Sequence, residues 1–344
     1  MSELKLSNGK VISDTSPAYV ILDVAANHNN SLDVAKQLVK EAAEAGADAV
    51  KFQTYTADKL YSKNTPKFSK DELKPYDLIK SVEHPREWLP ILNDYAQECG
   101  IDFLSSPFDY DAVDLLDELD TPCFKVASSE IVDLELIRYI ARKGRAIIIS
   151  TGMANLAEIE EALQVCYEEG NYNVALLHCN TAYPTPFHIV NLNAISTLKS
   201  AFKLLTGYSD HTLGHHISLA AISMGAKIIE KHFTLDTKQS GPDHNFAVEP
   251  KQLKIMMKEI RDIESGMGDG IKRVYDEELE SYEKGRRSLV MTQEVKKGEK
   301  ITREMIMIKR PGYGIKPNML SHVIGRTLAK DIADDEVLTW EYLI

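Results

Sequence analysis

Short β-branched runs alternate with stretches of helical apolar spacing up to about residue 265, the pattern of parallel βα units. Eight strand candidates follow one another: 19–26, 49–53, 102–106, 123–127, 146–150, 174–179, 203–208 and 227–232. Between them lie amphipathic segments such as SLDVAKQLVKEAAEAGA, where Leu32, Ala35, Leu38, Val39 and Ala42 share one face, Ser31 suits an N-cap and Gly46 a stop. Eight units in this length predict a TIM (β/α)8 barrel, and no GxGxxG follows the first strand to favour a doubly wound sheet. The connection 54–85 is the longest and is read as a functional lid.

The pattern changes near Gly266, where GMGDGIKRVYDEELESYEKGRR reads as a glycine-containing linker and a charged helix. Short strands and turns follow, with VKKGEKIT, KRPGYGIKPN and DIADDEVLT. The expected division is a barrel domain over 1–268, a linker over 269–286 and a small β-rich domain over 287–344. The last is near the size at which a core is marginal by itself.

Composition narrows the partners. Of 344 residues, 44% are hydrophobic and 27% charged, within the globular range, and no apolar run approaches the length of a membrane span. MSELKLSNGK carries no signal-peptide core. Cys99, Cys123, Cys166 and Cys179 form no CxxC pair, so free thiols in a cytoplasmic setting are expected. A net charge of -12 argues against nucleic acid or an anionic membrane as partner, while leaving room for a local anion site.

A TIM barrel carries its chemistry at the C-terminal ends of its strands. Here those ends hold Asp23, Asn27 and His28; Lys51 and Gln53; Ser105 and Ser106; Lys125, Ser128 and Glu130; Ser150 and Thr151; His178, Thr181 and Tyr183; Ser209, Asp210 and His211; and His232. Lysines inside AVKFQ and FKVASSE are expensive to bury without partners. They read as an anion cradle with the nearby hydroxyls, as a Schiff-base lysine, or as structural ion pairs. His211 and His232 end neighbouring strands and can converge on a first-row divalent ion, or each can be an ordinary hydrogen-bonded residue. Asp210 either orients an imidazole or caps the next helix.

At these residues the chain resembles the sialic acid synthase family, makers of N-acetylneuraminic, legionaminic and pseudaminic acids. The likeness runs through ANHNNSLDVAKQLVKEAAEAGADAVKFQTY, FLSSPFD, FKVASSEIVDLELI, IISTGMA, LLHCNTAYPTP, GYSDHTLG, IIEKHFTLD, GPDH, RSLVMTQEVKKGEKIT and KRPGYGI. The resemblance implies a barrel followed by an antifreeze-like SAF domain of β-clip type, in a domain-swapped homodimer whose SAF domains cover each other's active sites. It implies that Lys51, Ser106, Lys125, Ser128, Ser150, Tyr183 and Ser209 bind phosphoenolpyruvate. His211 and His232 would hold a divalent metal, expected to be Mn²⁺ with Mg²⁺ or Co²⁺ as substitutes. Asp243 and Arg310 would bind an amino-sugar aldehyde, with Glu130 in the same pocket.

Two positions depart from the family pattern. Asp23 stands where a glutamate is usual, and HCNTAYP carries Asn180–Thr181 where the order is threonine–asparagine. A shorter carboxylate must shift the reacting groups or act through a water. Thr181 lacks the two-sided amide contacts of asparagine. The implied reaction is metal-assisted condensation of phosphoenolpyruvate with an N-acetylmannosamine-like sugar, Asp23 or Glu130 being the carboxylate that favours positive charge at C2 and orients water. A Schiff-base aldolase and a catalytically lapsed sugar-binding protein are the rival readings.

Overall fold

The structure is a computed structural model that describes residues 2–69 and 72–344. It separates into one unit ending at Gly268 and a second spanning Asp269–Ile344. The first opens with an antiparallel hairpin, β1 (Glu3–Lys5) and β2 (Val11–Ser13). Eight parallel strands follow: β3 (Tyr19–Asp23), β4 (Ala49–Thr54), β5 (Asp102–Pro107), β6 (Cys123–Val126), β7 (Ala146–Ser150), β8 (Val174–Cys179), β9 (Leu205–Asp210) and β10 (Ile228–His232). β10 pairs with both β9 and β3, so the last strand returns to the first. The sheet runs β5-β4-β3-β10-β9-β8-β7-β6, with β5 and β6 adjacent at the seam of a nearly closed barrel.

Strand periodicity of two divides the apolar residues between two cores. Tyr19, Ile21, Leu104, Ile148, Leu177 and Ile228 fill the barrel's interior. Val20, Leu22, Phe103, Ile149, Leu176 and Ile229 face outward under the helices. The hairpin was not foreseen from the sequence; its Leu4, Leu6 and Ile12 join the interior set and plug the end opposite the catalytic loops.

Helix Leu32–Glu44 forms as its pattern predicts, burying Ala35, Leu38, Val39 and Ala42, with the Ser31 hydroxyl accepting from Val34 N–H. The first strand ends earlier than expected because Ala25 takes a positive φ of 45°. The seventh begins two residues later, since Lys203 adopts a left-handed φ of 56° after helix Asn193–Phe202. The long connection contains helices Ala57–Leu60 and Pro75–Val82; Lys70 and Asp71 lie outside the described residues.

In the second unit a short helix, Leu279–Gly285, precedes β11 (Ser288–Met291), which pairs antiparallel with β12 (Ile306–Lys309). Isolated bridges such as Val295 with Ile332 and Leu328 with Leu343 complete the fold. Its own core includes Leu289, Met291, Ile301, Ile315, Val323 and Leu338. No helix among the described residues is long and apolar enough to cross a membrane, and all four cysteines are free.

Candidate active site

The parity that fills the barrel with Ile21, Ile148, Leu177 and Ile228 continues two residues further along each strand. There the interior turns polar: Asp23 above Ile21, Lys51 above Ala49, Ser150 above Ile148, Ser209 above Gly207 and Glu230 above Ile228. These residues floor a cavity of about 490 Å³. Lys125, Ser128, Glu130, Thr181, Tyr183, His211, His232 and Asp243 also line it. The long connection and the segment after β5 add Tyr55, Leu60, Tyr61, Ile79 and Phe108 to its wall.

Glu230, which sequence reasoning missed, organises the two lysines. Its carboxylate lies 3.5 Å from Lys125 Nζ and 3.8 Å from Lys51 Nζ, and accepts the Ser209 hydroxyl at 2.9 Å. Lys51 also donates to Asp23 at 2.8 Å, and Gln53 to the same oxygen at 3.0 Å. Lys125 donates to the Ser150 hydroxyl at 2.7 Å. Burial opposes charge on every member of this network, and the partners decide each outcome. Against burial, Lys51 and His232 hold the Asp23 carboxyl down to about 2. Asp23 and Glu230 outweigh burial at Lys51 and raise its pKa, so it stays charged. At Lys125 burial and repulsion from Lys51 prevail over Glu230, and its pKa falls. Glu230 is held low by Lys125 and Lys51 despite burial.

The imidazoles of His211 and His232 have ring centroids 5.2 Å apart, beside Tyr183 and Phe246. His211 Nδ1 lies 2.8 Å from the Asn180 carbonyl, which only accepts, so Nδ1 carries a proton and Nε2 is the nitrogen left for a metal in the neutral ring. Burial, with repulsion from His211 and Lys51, brings His232 down to about 3 in spite of Asp23, leaving it neutral. Its buried Nδ1 has no hydrogen-bond partner. Among the described residues no group of three or more His, Cys, Asp or Glu is gathered for a metal. Against burial, Cys179, the Asn180 carbonyl and Glu230 raise His211 above its ordinary value, so a divalent ion would displace a proton there, whereas His232 is already neutral; the two imidazoles fit such an ion, its other positions going to water or substrate. The charge balance fits too: four cavity carboxylates, Asp23, Glu130, Glu230 and Asp243, face two lysines, so an anionic substrate needs further positive charge.

The remaining predicted residues fall as follows. Half-buried Asp243 accepts the Ala26 N–H at 3.2 Å, and burial raises its carboxyl to about 6. Glu130 sits in the turn Ser128–Val132, raised by burial although Ser129 donates to it at 2.8 Å. The Ser128 hydroxyl accepts from Gly152 N–H at 3.0 Å. Of the transposed pair, Thr181 faces the cavity, while the Asn180 amide turns away to donate to the Ile189 carbonyl. Ser106 is buried, off the cavity wall, and its hydroxyl has no partner. Arg310 lies exposed in the second unit, directly after β12. Asp210 makes no hydrogen bond to an imidazole and caps no helix; its side chain pairs with Lys231 on the outer face of the strands.

A model of the NeuB family matches residues 38–272, and one of the SAF domain matches residues 286–344. The chain is 44% identical to an N,N'-diacetyllegionaminic acid synthase of Campylobacter jejuni, over 93% of this chain and 98% of the relative. It is 36% identical to the enzyme of the same name from Legionella pneumophila, over 99% of each. Among solved structures, an N-acetylneuraminic acid synthetase from Leptospira borgpetersenii superposes with a TM-score of 0.74 at 33% identity, over 82% of this chain and 95% of that one.

Proposed function

Because this chain belongs to the NeuB family, we propose that it condenses phosphoenolpyruvate with an N-acetylmannosamine-like amino-sugar aldehyde, releasing a nonulosonic acid and phosphate. The observation that carries this reading is the meeting of two buried lysines with two neighbouring imidazoles in one cavity. Lys51 and Lys125, with Ser128, Ser150, Tyr183 and Ser209, bind the phosphate and carboxylate of phosphoenolpyruvate, while Ser106, expected among them, is buried off the cavity wall. Asp243, Thr181 and Glu130 face the sugar. His211 and His232 would hold a divalent ion, Mn²⁺ before Mg²⁺ or Co²⁺, and when bound it would supply Lewis-acid stabilisation of charge on the aldehyde oxygen.

C3 of phosphoenolpyruvate attacks the aldehyde carbon, C2 becomes electron-poor, water adds there, and phosphate leaves with cleavage of its C–O bond. Asp23, ionised at any working pH, places fixed negative charge where C2 turns positive and orients the water. Gln53 and Lys51 hold that carboxylate in place. Asp243 exchanges a proton near neutrality and serves the oxygen that becomes a hydroxyl.

The aldolase alternative, which the relatives do not favour, would use Lys125, whose pKa burial lowers, as its Schiff-base lysine. Borohydride trapping on Lys125 with chelator-insensitive turnover would establish it instead. The reading also includes a cytoplasmic homodimer in which one protomer's SAF domain covers the other's barrel and brings Arg310 to the sugar; its support is the family resemblance around KRPGYGI. The test is to offer phosphoenolpyruvate, Mn²⁺ and a panel of N-acetylated amino sugars, reading phosphate release and product mass. Release of phosphate with none of them would reject the synthase.

A further inference from the structure

We propose that the buried Asp210–Lys231 pair is a positioning device that sets the spacing of His211 and His232, a role that rests on the two-histidine reading above. The pair is fully buried, with side chains at 0% exposure, and its charges lie 3.2 Å apart. Its two residues are direct register partners on β9 and β10, each immediately before one of the histidines. Strand alternation sends Ser209 and His211, Glu230 and His232, into the cavity and turns Asp210 and Lys231 to the reverse face. The ion pair therefore clamps the two strand ends from behind.

Further contacts extend the clamp to the backbone beside His211. One Asp210 oxygen accepts the Thr212 N–H at 2.8 Å, and Lys231 donates to the Thr212 carbonyl at 2.9 Å. The other Asp210 oxygen accepts the Ser218 hydroxyl at 2.6 Å, fastening the arrangement to helix His216–Ser223. His211 thus hangs between two residues whose positions are fixed by one buried pair. A buried ion pair is seldom the most stable filling of its space, since apolar side chains of similar volume often do as well or better. What apolar groups cannot supply is the fixed direction of four charge-assisted contacts.

The experiment separates position from stability. Asp210→Asn, Lys231→Met and the double variant are compared in metal-free form for thermal unfolding midpoint and for Mn²⁺ affinity, read by competition with a chromogenic chelator. Each single variant should lower the midpoint and weaken Mn²⁺ at least tenfold. The double variant should regain most of the midpoint while Mn²⁺ stays at least tenfold weaker. Recovery of wild-type affinity in the double variant would make the pair merely structural and overturn the proposal. His211→Ala is the reference: Mn²⁺ binding that survives it rejects the two-histidine site itself, a failure distinct from loss of the clamp alone. Should the double variant not fold, Ser218→Ala carries the test. A several-fold loss of affinity at an unchanged midpoint supports the clamp, and unchanged affinity overturns it.

Discussion

Glu230 lies between Lys51 and Lys125, in the gap that the proposed phosphate site would use. It keeps two buried ammonium groups tolerable in the free protein, and under the proposed function it would compete with phosphoenolpyruvate for them. Glu230→Gln should therefore destabilise the ligand-free protein by about 3 kcal/mol, as when one partner of a buried pair is removed. Added phosphoenolpyruvate should then raise the unfolding midpoint by more than it does in the wild type; an equal or smaller rise would remove Glu230 from the ligand's path. Asp243 gives a pH signature. Its folded value near 6 exceeds the ordinary 3.8, so the stability it contributes is fully present below 3.8 and lost as pH rises through 6. Allowing for partial exposure, the ionised carboxylate costs about 1 to 2 kcal/mol above that pH. Asp243→Asn should raise the midpoint at pH 8 and leave it unchanged at pH 3.5, while weakening sugar saturation. Parity was the overlooked signal for Glu230. In IIEKH it shares a strand face with Ile228 and His232, and the same rule assigns Cys179 to the cavity from Leu177.

At the scale of elements, β9 and β10 approach so closely that a Cβ on Gly207 would lie 2.2 Å from the Ile228 carbonyl and 2.6 Å from Leu177 Cδ2. Gly207→Ala should push these strands apart, costing about 1 to 3 kcal/mol by overpacking. It should also weaken metal binding through the histidines the strands carry; a stability loss with unchanged Mn²⁺ affinity would mean the distortion stays below the cavity. The strands themselves were legible because parallel barrel strands are buried on both faces and read as continuous apolar runs. What escaped was set by backbone conformation. Ala25 and Lys203 take left-handed angles that their side chains do not advertise, so one strand ended early and another began late. The hairpin around Leu4 and Ile12 was too short to stand out, and only the barrel's open end gives those residues a place to be buried.

The whole molecule joins three catalytic-face loops through buried histidines. His28, after β3, packs edge-on to His84 of the long connection at 5.4 Å, and His244, after β10, bonds to Asn29 at 3.0 Å. Burial, then His84 and His244, lowers His28 to about 3 from 6.5. The unfolded chain takes up this proton across that window while the folded one does not, so stability falls as pH drops below 6.5. His28→Gln should flatten that slope in chemical denaturation between pH 7.5 and 5; an unaltered slope would assign it elsewhere. The proposed exchange of SAF domains has a genetic test. Co-expressed His211→Ala and Arg310→Ala chains should recover about a quarter of sites if half the dimers are mixed. No recovery, with mixed dimers shown by differential tags, would reject the exchange and leave the barrel chemistry standing. The plug at the barrel's other end reaches beyond the finished molecule. The hairpin precedes every strand it seals, so a ribosome making 5–20 residues per second holds Leu4, Leu6 and Ile12 without their pocket for roughly ten to forty seconds before Ile228–His232 is made. Until those later strands are made, the chain must carry these apolar side chains in water, a transient hydrophobic exposure that the finished barrel erases.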